Sequence, residues 1–128
     1  SHNPADYNGF KMLLPGGSVF GAAIKALGTR AAEGRWSEGK GQVSDTEVMD
    51  RYVARLVEDF RGGEYRIGWD AGNGAAGPAL EKLIKLLPGE HHTLFTDVDG
   101  SFPNHHPDPT VEKNLEHLKA LVRDKKLD

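Results

Sequence analysis

Residues Tyr65–Asp97 read YRIGWDAGNGAAGPALEKLIKLLPGEHHTLFTD, and this stretch decides the fold. Tyr65-Arg66-Ile67-Gly68-Trp69-Asp70 has the composition of a strand, and Gly72-Asn73-Gly74 that of a tight turn leaving it. A helix is expected from near Pro78 to Leu87, stopped by Pro88-Gly89, with a second strand over Thr93-Leu94-Phe95-Thr96-Asp97. On the C-terminal side, the Pro, His, Asn and Gly of Asp99–Pro109 predict an irregular loop. Asp108-Pro109 then supplies a cap and a first-turn proline for a helix whose Val111, Leu115, Leu118 and Val122 line one face. Strand, helix, strand, helix is the order of an α/β layer architecture, so the expected fold is α/β, a layered mixed sheet with flanking helices.

Working toward the N-terminus, Gly62-Gly63 ends a helix and marks the expected domain boundary. Val48, Met49, Tyr52, Val53, Leu56, Val57 and Phe60 form that helix's apolar stripe, and Ser44-Asp45-Thr46-Glu47 before it has the form of a capping box. Gly39, Gly41 and their polar neighbours make a loop. Earlier, Phe10-Lys11-Met12-Leu13-Leu14 lies between Asn8-Gly9 and Pro15-Gly16-Gly17 and is expected to be a buried strand. Ser18 is expected to cap a helix with Phe20, Ile24 and Leu27 at helical spacing, fading by Gly34.

A chain of 128 residues with 38% hydrophobic and 27% charged content can build a core. Its formal net charge of -3 lacks the basic footprint of a nucleic-acid partner. No apolar run approaches the roughly 20 residues of a membrane span, and no signal pattern opens the chain. Zero cysteines exclude disulfides and thiolate metal sites, which fits a cytoplasmic location.

Ser1-His2-Asn3-Pro4-Ala5-Asp6-Tyr7-Asn8-Gly9-Phe10-Lys11 gathers a hydroxyl, an imidazole, two amides and an ammonium in one loop that leads into a strand. Phosphoryl transfer uses these groups: an oxygen that accepts and releases the phosphoryl group, and positioned donors and cations to hold its charge. Asn3 and Asn8 can donate through their amides or pin the loop, and Lys11 places a cation or proton-transferring amine at the start of a strand. Residue types alone also fit two consecutive turns, and Ser1-His2 alone fits the remnant of an expression tag.

The whole string resembles the active-site signature of the α-D-phosphohexomutases, which include phosphomannomutase and phosphoglucomutase. That signature is serine-histidine-asparagine-proline, three variable residues, asparagine-glycine, one variable residue and lysine. Ser1, His2, Asn3, Pro4, Asn8, Gly9 and Lys11 meet every fixed position. The resemblance continues through Gly72-Asn73-Gly74, Asp99–Pro109 and Asn114-Leu115, most like the bacterial phosphomannomutase/phosphoglucomutase branch. It implies an internal fragment of parts of two consecutive α/β domains, with residues 1–62 the later part of the first, beginning at the catalytic serine, and residues 63–128 most of the second.

The resemblance also implies reversible interconversion of hexose 1-phosphate and hexose 6-phosphate, with a phosphosugar as the partner. Ser1 would be the phosphoserine donor, His2 a supporting neighbour, Lys11 a general acid/base or a substrate-oriented cation, and Asn3 and Asn8 substrate contacts or loop supports. A hexose 1,6-bisphosphate would be the intermediate. In the family, Mg²⁺ is held by a phosphoserine oxygen, here that of Ser1, and by an Asp-Gly-Asp-x-Asp-Arg loop that this chain lacks. Asp97-Val98-Asp99-Gly100 is without the third aspartate and the arginine. The fragment alone is therefore expected to be inactive.

A competing motif is Gly72-Asn73-Gly74-Ala75-Ala76-Gly77, a Gly-x-Gly-x-x-Gly pattern between an expected strand and helix. With Asp97 about where a ribose-binding acid would stand, it offers the alternative of a dinucleotide- or nucleotide-binding module. Asp70 just before the glycines would face a pyrophosphate with the wrong charge. His91-His92 and His105-His106 contain metal-ligand chemistry, but adjacent residues usually point apart and neither pair has helical ligand spacing. His105 and His106 are expected to help fold the proline-rich loop, and Trp36 and Trp69 to be core or interface aromatics.

Overall fold

The structure is a computed structural model that describes Asn3 and residues 6–128. It divides into two compact units, one of residues Asn8–Thr46 and one of Glu47–Asp128 with Asn3, Asp6 and Tyr7.

In the Asn8–Thr46 unit, β1 (Met12–Leu14) pairs antiparallel with β2 (Gly17–Val19), in the register Met12↔Val19, Leu13↔Ser18 and Leu14↔Gly17. The turn at Pro15-Gly16 sends the chain straight back as a strand, so Ser18 is a strand residue opposite Leu13 and caps nothing. Helix α1 (Ala22–Ala32) follows Gly21 instead. The strand expected to be buried is exposed, with Leu13 at 76%. An apolar strand is buried only when both sheet faces are covered, and a two-stranded ribbon with one helix cannot do that. Ala23, Ala26 and Leu27, at helical spacing on α1, line an apolar groove with Met12, Leu14 and Val19.

The other unit opens with α2 (Met49–Glu58), where Glu47 accepts the Met49 backbone N–H at 2.8 Å. That bond takes the place of the expected capping box, since no side chain caps from the N-cap position, Val48. β3 (Tyr65–Asp70) has the expected bounds and pairs parallel with β4 (Gly89–Leu94) through α3 (Gly77–Leu83). β4 starts four residues earlier than expected, because the parallel register sets Tyr65 opposite Gly89 and Asp70 opposite Leu94. Phe95, at φ 54, then turns the backbone out of the strand before Asp97. After an irregular loop, a 3₁₀ turn (Glu112–Leu115) leads into α4 (Glu116–Lys125).

The period-two alternation of β3 sorts its faces. A Cβ on Gly68 would meet Leu118 and Leu127 at 3.1 Å and Leu121 at 3.3 Å, which puts the α4 end of the chain on that face. Trp69 points the other way, into a groove it shares with Tyr52 and Leu56 of α2 and with Ala79, Leu80 and Leu83 around α3. The result is one parallel strand pair between helical layers, with small sheets of both parallel and antiparallel type in the chain as a whole. The apolar core is thin: among the described residues, Val53 (2% exposed) and Ala79 (9%) are its buried members.

Candidate functional site

Of the residues expected to carry phosphoryl chemistry, Ser1 and His2 lie outside the described residues. Asn3 is half-buried, whereas Asn8 and Lys11 are exposed. Lys11 directly precedes β1, the mount expected for it. Within the described residues, the densest polar construction is the turn after β3 together with the Asp99–Pro109 loop.

Gly72 stands at φ 52 and Asn73 at φ 56, left-handed geometry that glycine adopts freely and asparagine tolerates. The Asp70 carboxylate accepts the Gly72 N–H through Oδ1 at 2.8 Å, closing an Asx turn. Asn73 is 6% exposed and fully engaged. Its backbone N–H donates to the Phe95 carbonyl, its Nδ2 to the Asp97 carbonyl at 2.9 Å, and its carbonyl and Oδ1 accept from the Asp99 N–H and Asn104 Nδ2. Burying an asparagine is tolerable only with its polar atoms paired, and here the pairing ties the turn to the loop.

His105 completes the tie. Its Nε2 lies 2.9 Å from Asp70 Oδ2 and its Nδ1 3.0 Å from the His106 carbonyl, with side-chain exposures of 12% for His105 and 8% for Asp70. Burial disfavours charge on the ring, but the His106 carbonyl and the Asp70 carboxylate outweigh it and hold the imidazole above its ordinary value. Phe95 meets the ring edge-on at a centroid distance of 5.5 Å, and His117 of α4 stacks on it at 6.2 Å. His105 thus folds the loop as expected. Its partner was not legible, because Asp70 read in sequence only as a charge unfavourable to phosphate.

The dinucleotide alternative finds no support in this geometry. The turn's own amides are spent internally: Gly72 on Asp70, Asn73 on Phe95, Gly74 on the Ala71 carbonyl and Gly77 on the Gly74 carbonyl. A Cβ on Gly77 would sit 1.8 Å from the Thr96 carbonyl oxygen, so this glycine is needed where helix and strand end meet. Asp97 contributes its backbone carbonyl to Asn73.

The two histidine pairs are separately engaged. Trp69 Nε1–H donates to His91 Nδ1 at 3.1 Å, which leaves His91 Nε2–H to donate to the Pro88 carbonyl at 3.2 Å, while His92 faces Glu90. Glu90 in turn is drawn down to about 2 by the Arg66 guanidinium, with help from His92. Asp99 Oδ1 accepts from the Ser101 N–H and hydroxyl. Among the described residues, no three or more histidines and carboxylates are grouped to hold a metal ion.

The model of phosphoglucomutase/phosphomannomutase alpha/beta/alpha domain II matches residues 50–128. The chain is 43% identical over 125 residues to a phosphomannomutase/phosphoglucomutase of Pseudomonas putida, covering 97% of this chain and 27% of the relative. It is likewise 43% identical over 126 residues to a phosphoglucomutase of Neisseria meningitidis serogroup B, covering 96% of this chain and 27% of the relative. A crystal structure of a phosphoglucomutase/phosphomannomutase family protein from Burkholderia thailandensis superposes with a TM-score of 0.91 at 43% identity, over 99% of this chain and 28% of that one. The chain thus spans little more than a quarter of these relatives' length, and it belongs to the phosphoglucomutase/phosphomannomutase family.

Proposed function

We propose that this chain is a segment of a longer cytoplasmic phosphohexomutase that interconverts hexose 1-phosphate and hexose 6-phosphate, with Ser1 as its phosphoryl carrier. One observation carries the proposal: a complete Ser1–Lys11 signature heads a chain that resembles named phosphomannomutases and phosphoglucomutases along 97% of its length. In the forward step the Ser1 Oγ–P bond breaks as a sugar hydroxyl oxygen bonds to phosphorus. The hydroxyl proton passes by way of Lys11 to the departing Ser1 oxygen, which becomes a hydroxyl, while His2, Asn3 and Asn8 support the loop or the sugar. The hexose 1,6-bisphosphate reorients, its other phosphoryl group returns to Ser1, and the Ser1 hydroxyl proton passes by way of Lys11 to the sugar oxygen that is freed.

The magnesium ion implied by the family resemblance needs carboxylate donors that the described residues do not bring together. The same proposal makes residues 1–62 the later part of the family's first domain and residues 63–128 most of its second. The domain II match, which begins at residue 50, and the packing of α2 on α3 favour an earlier changeover, before α2 and near Glu47.

Peptide mass spectrometry of the active full-length enzyme tests the carrier directly. Phosphate is expected on Ser1, and Ser1→Ala is expected to bring glucose 1-phosphate turnover to background. Stable phosphate at another residue with none on Ser1 would refute the assignment.

A further inference from the structure

The clamp around His105 carries an inference that is independent of the role proposed for Ser1. Both nitrogens of the His105 ring face oxygen acceptors, Asp70 Oδ2 at 2.9 Å and the His106 carbonyl at 3.0 Å. A carbonyl cannot donate, and an ionised carboxylate cannot either, so both contacts are hydrogen bonds only when the ring carries both of its protons. A neutral ring must abandon one of them. The Asp70 contact is nearly buried, so water replaces that bond poorly, whereas the His106 contact is exposed.

The position of the ring gives such a loss a consequence. His105 lies over the Gly72 turn, where a Cβ on Gly72 would come within 3.4 Å of His105 Cε1. Its Asp70 partner holds the Gly72 N–H with the other carboxylate oxygen, and neighbouring Asn104 donates to Asn73 at 2.7 Å. The ring contacts therefore join two segments that are far apart in sequence. Two residues at the ends of this construction, Phe95 at φ 54 and Phe102 at φ 50, hold backbone geometry that bulky side chains disfavour, so the loop depends on its ties to stay in place. The other titratable groups around the ring are His117, stacked from α4, and Asp108, which lines the same small cavity from the loop.

We infer that His105 is a proton-operated latch: as an imidazolium it clamps the Asp99–Pro109 loop onto the turn after β3, and loss of one ring proton releases the loop. The direction follows from the raised affinity of the folded ring for its proton. Clamping is complete below the ordinary imidazole value, about pH 6.5. It weakens as pH rises and is lost through the higher folded-state value.

The test is histidine-selective ¹⁵N NMR of the protein, combined with amide hydrogen exchange over residues 97–109. The expected spectrum shows His105 with both ring nitrogens protonated at pH 6 and titrating above free imidazole. Exchange at the Asp99 and Asn73 amides, corrected for the intrinsic base-catalysed rate, is expected to quicken up to roughly tenfold per pH unit between the free and the folded-state values. His105→Gln is expected to abolish that pH dependence, whereas His117→Phe leaves it in place. A His105 ring that is singly protonated at pH 6, or loop protection indifferent to its titration, would overturn the latch. So would a pH dependence that disappears in His117→Phe and persists in His105→Gln. The wild-type titration alone decides the matter if either variant fails to fold.

Discussion

Gly77 shows how a single position can reverse a general preference. Replacing a helical glycine by alanine ordinarily gains up to about 1 kcal/mol, because alanine has less backbone entropy to lose. At Gly77 the new methyl would overlap the Thr96 carbonyl oxygen, a backbone atom that cannot rotate away. Overpacking of this kind costs about 3 kcal/mol or more, so the clash wins. Gly77→Ala is expected to lower the melting temperature by roughly 15 °C, read by circular dichroism. An unchanged or raised value would show that the helix–strand contact is looser than described. Asp70 and Asn73 belong to the same scale: each short polar side chain turns the chain locally and also reaches a distant partner. Their residue types announce the turn. Nothing in their local sequence announces His105 or Asn104.

Among the elements, β3 was fully legible, since Tyr65–Asp70 is bounded by turn signals and packs on both faces. The apolar stripe on α2 was legible too, and Val53 at its centre is the most deeply buried apolar residue described. Val53→Ala should cost about 2 kcal/mol through lost burial and the cavity left behind. Chemical denaturation would show the midpoint falling with its slope unchanged, while the neighbouring exposed Tyr52→Ala costs less. An equal loss from both substitutions would contradict the burial described for this helix. Element bounds were harder to read where pairing overrides local signals. β4 follows its parallel register rather than its richest apolar run, and Ser18 follows a hairpin rather than a cap. α3 stops at Leu83 although Ile84, Leu86 and Leu87 continue its apolar positions, since Pro88 has no N–H to give the Ile84 carbonyl and its ring would clash with that carbonyl in a continued helix.

For the whole molecule, the governing fact is coverage. The chain corresponds to 27% of the relatives it matches, and its described residues assemble no metal site. Purified by itself, the 128-residue chain is expected to give no detectable conversion of glucose 1-phosphate in a coupled assay, whereas a full-length protein containing it is expected to turn over. Turnover by the chain alone would show that a complete site forms without the remaining three quarters. Among the described residues no helix is long and apolar enough to cross a membrane.

The sequence by itself determined the α/β order of elements, the strand at Tyr65–Asp70 and the signature at Ser1–Lys11, because strand composition, turn residues and a fixed-spacing motif are local properties of the chain. Only the tertiary structure decided what Asp70, Asn73 and His105 do. Their partners lie 35, 31 and 35 residues away, and hydrogen bonds across such separations depend on where the β3–α3–β4 crossover brings the chain back.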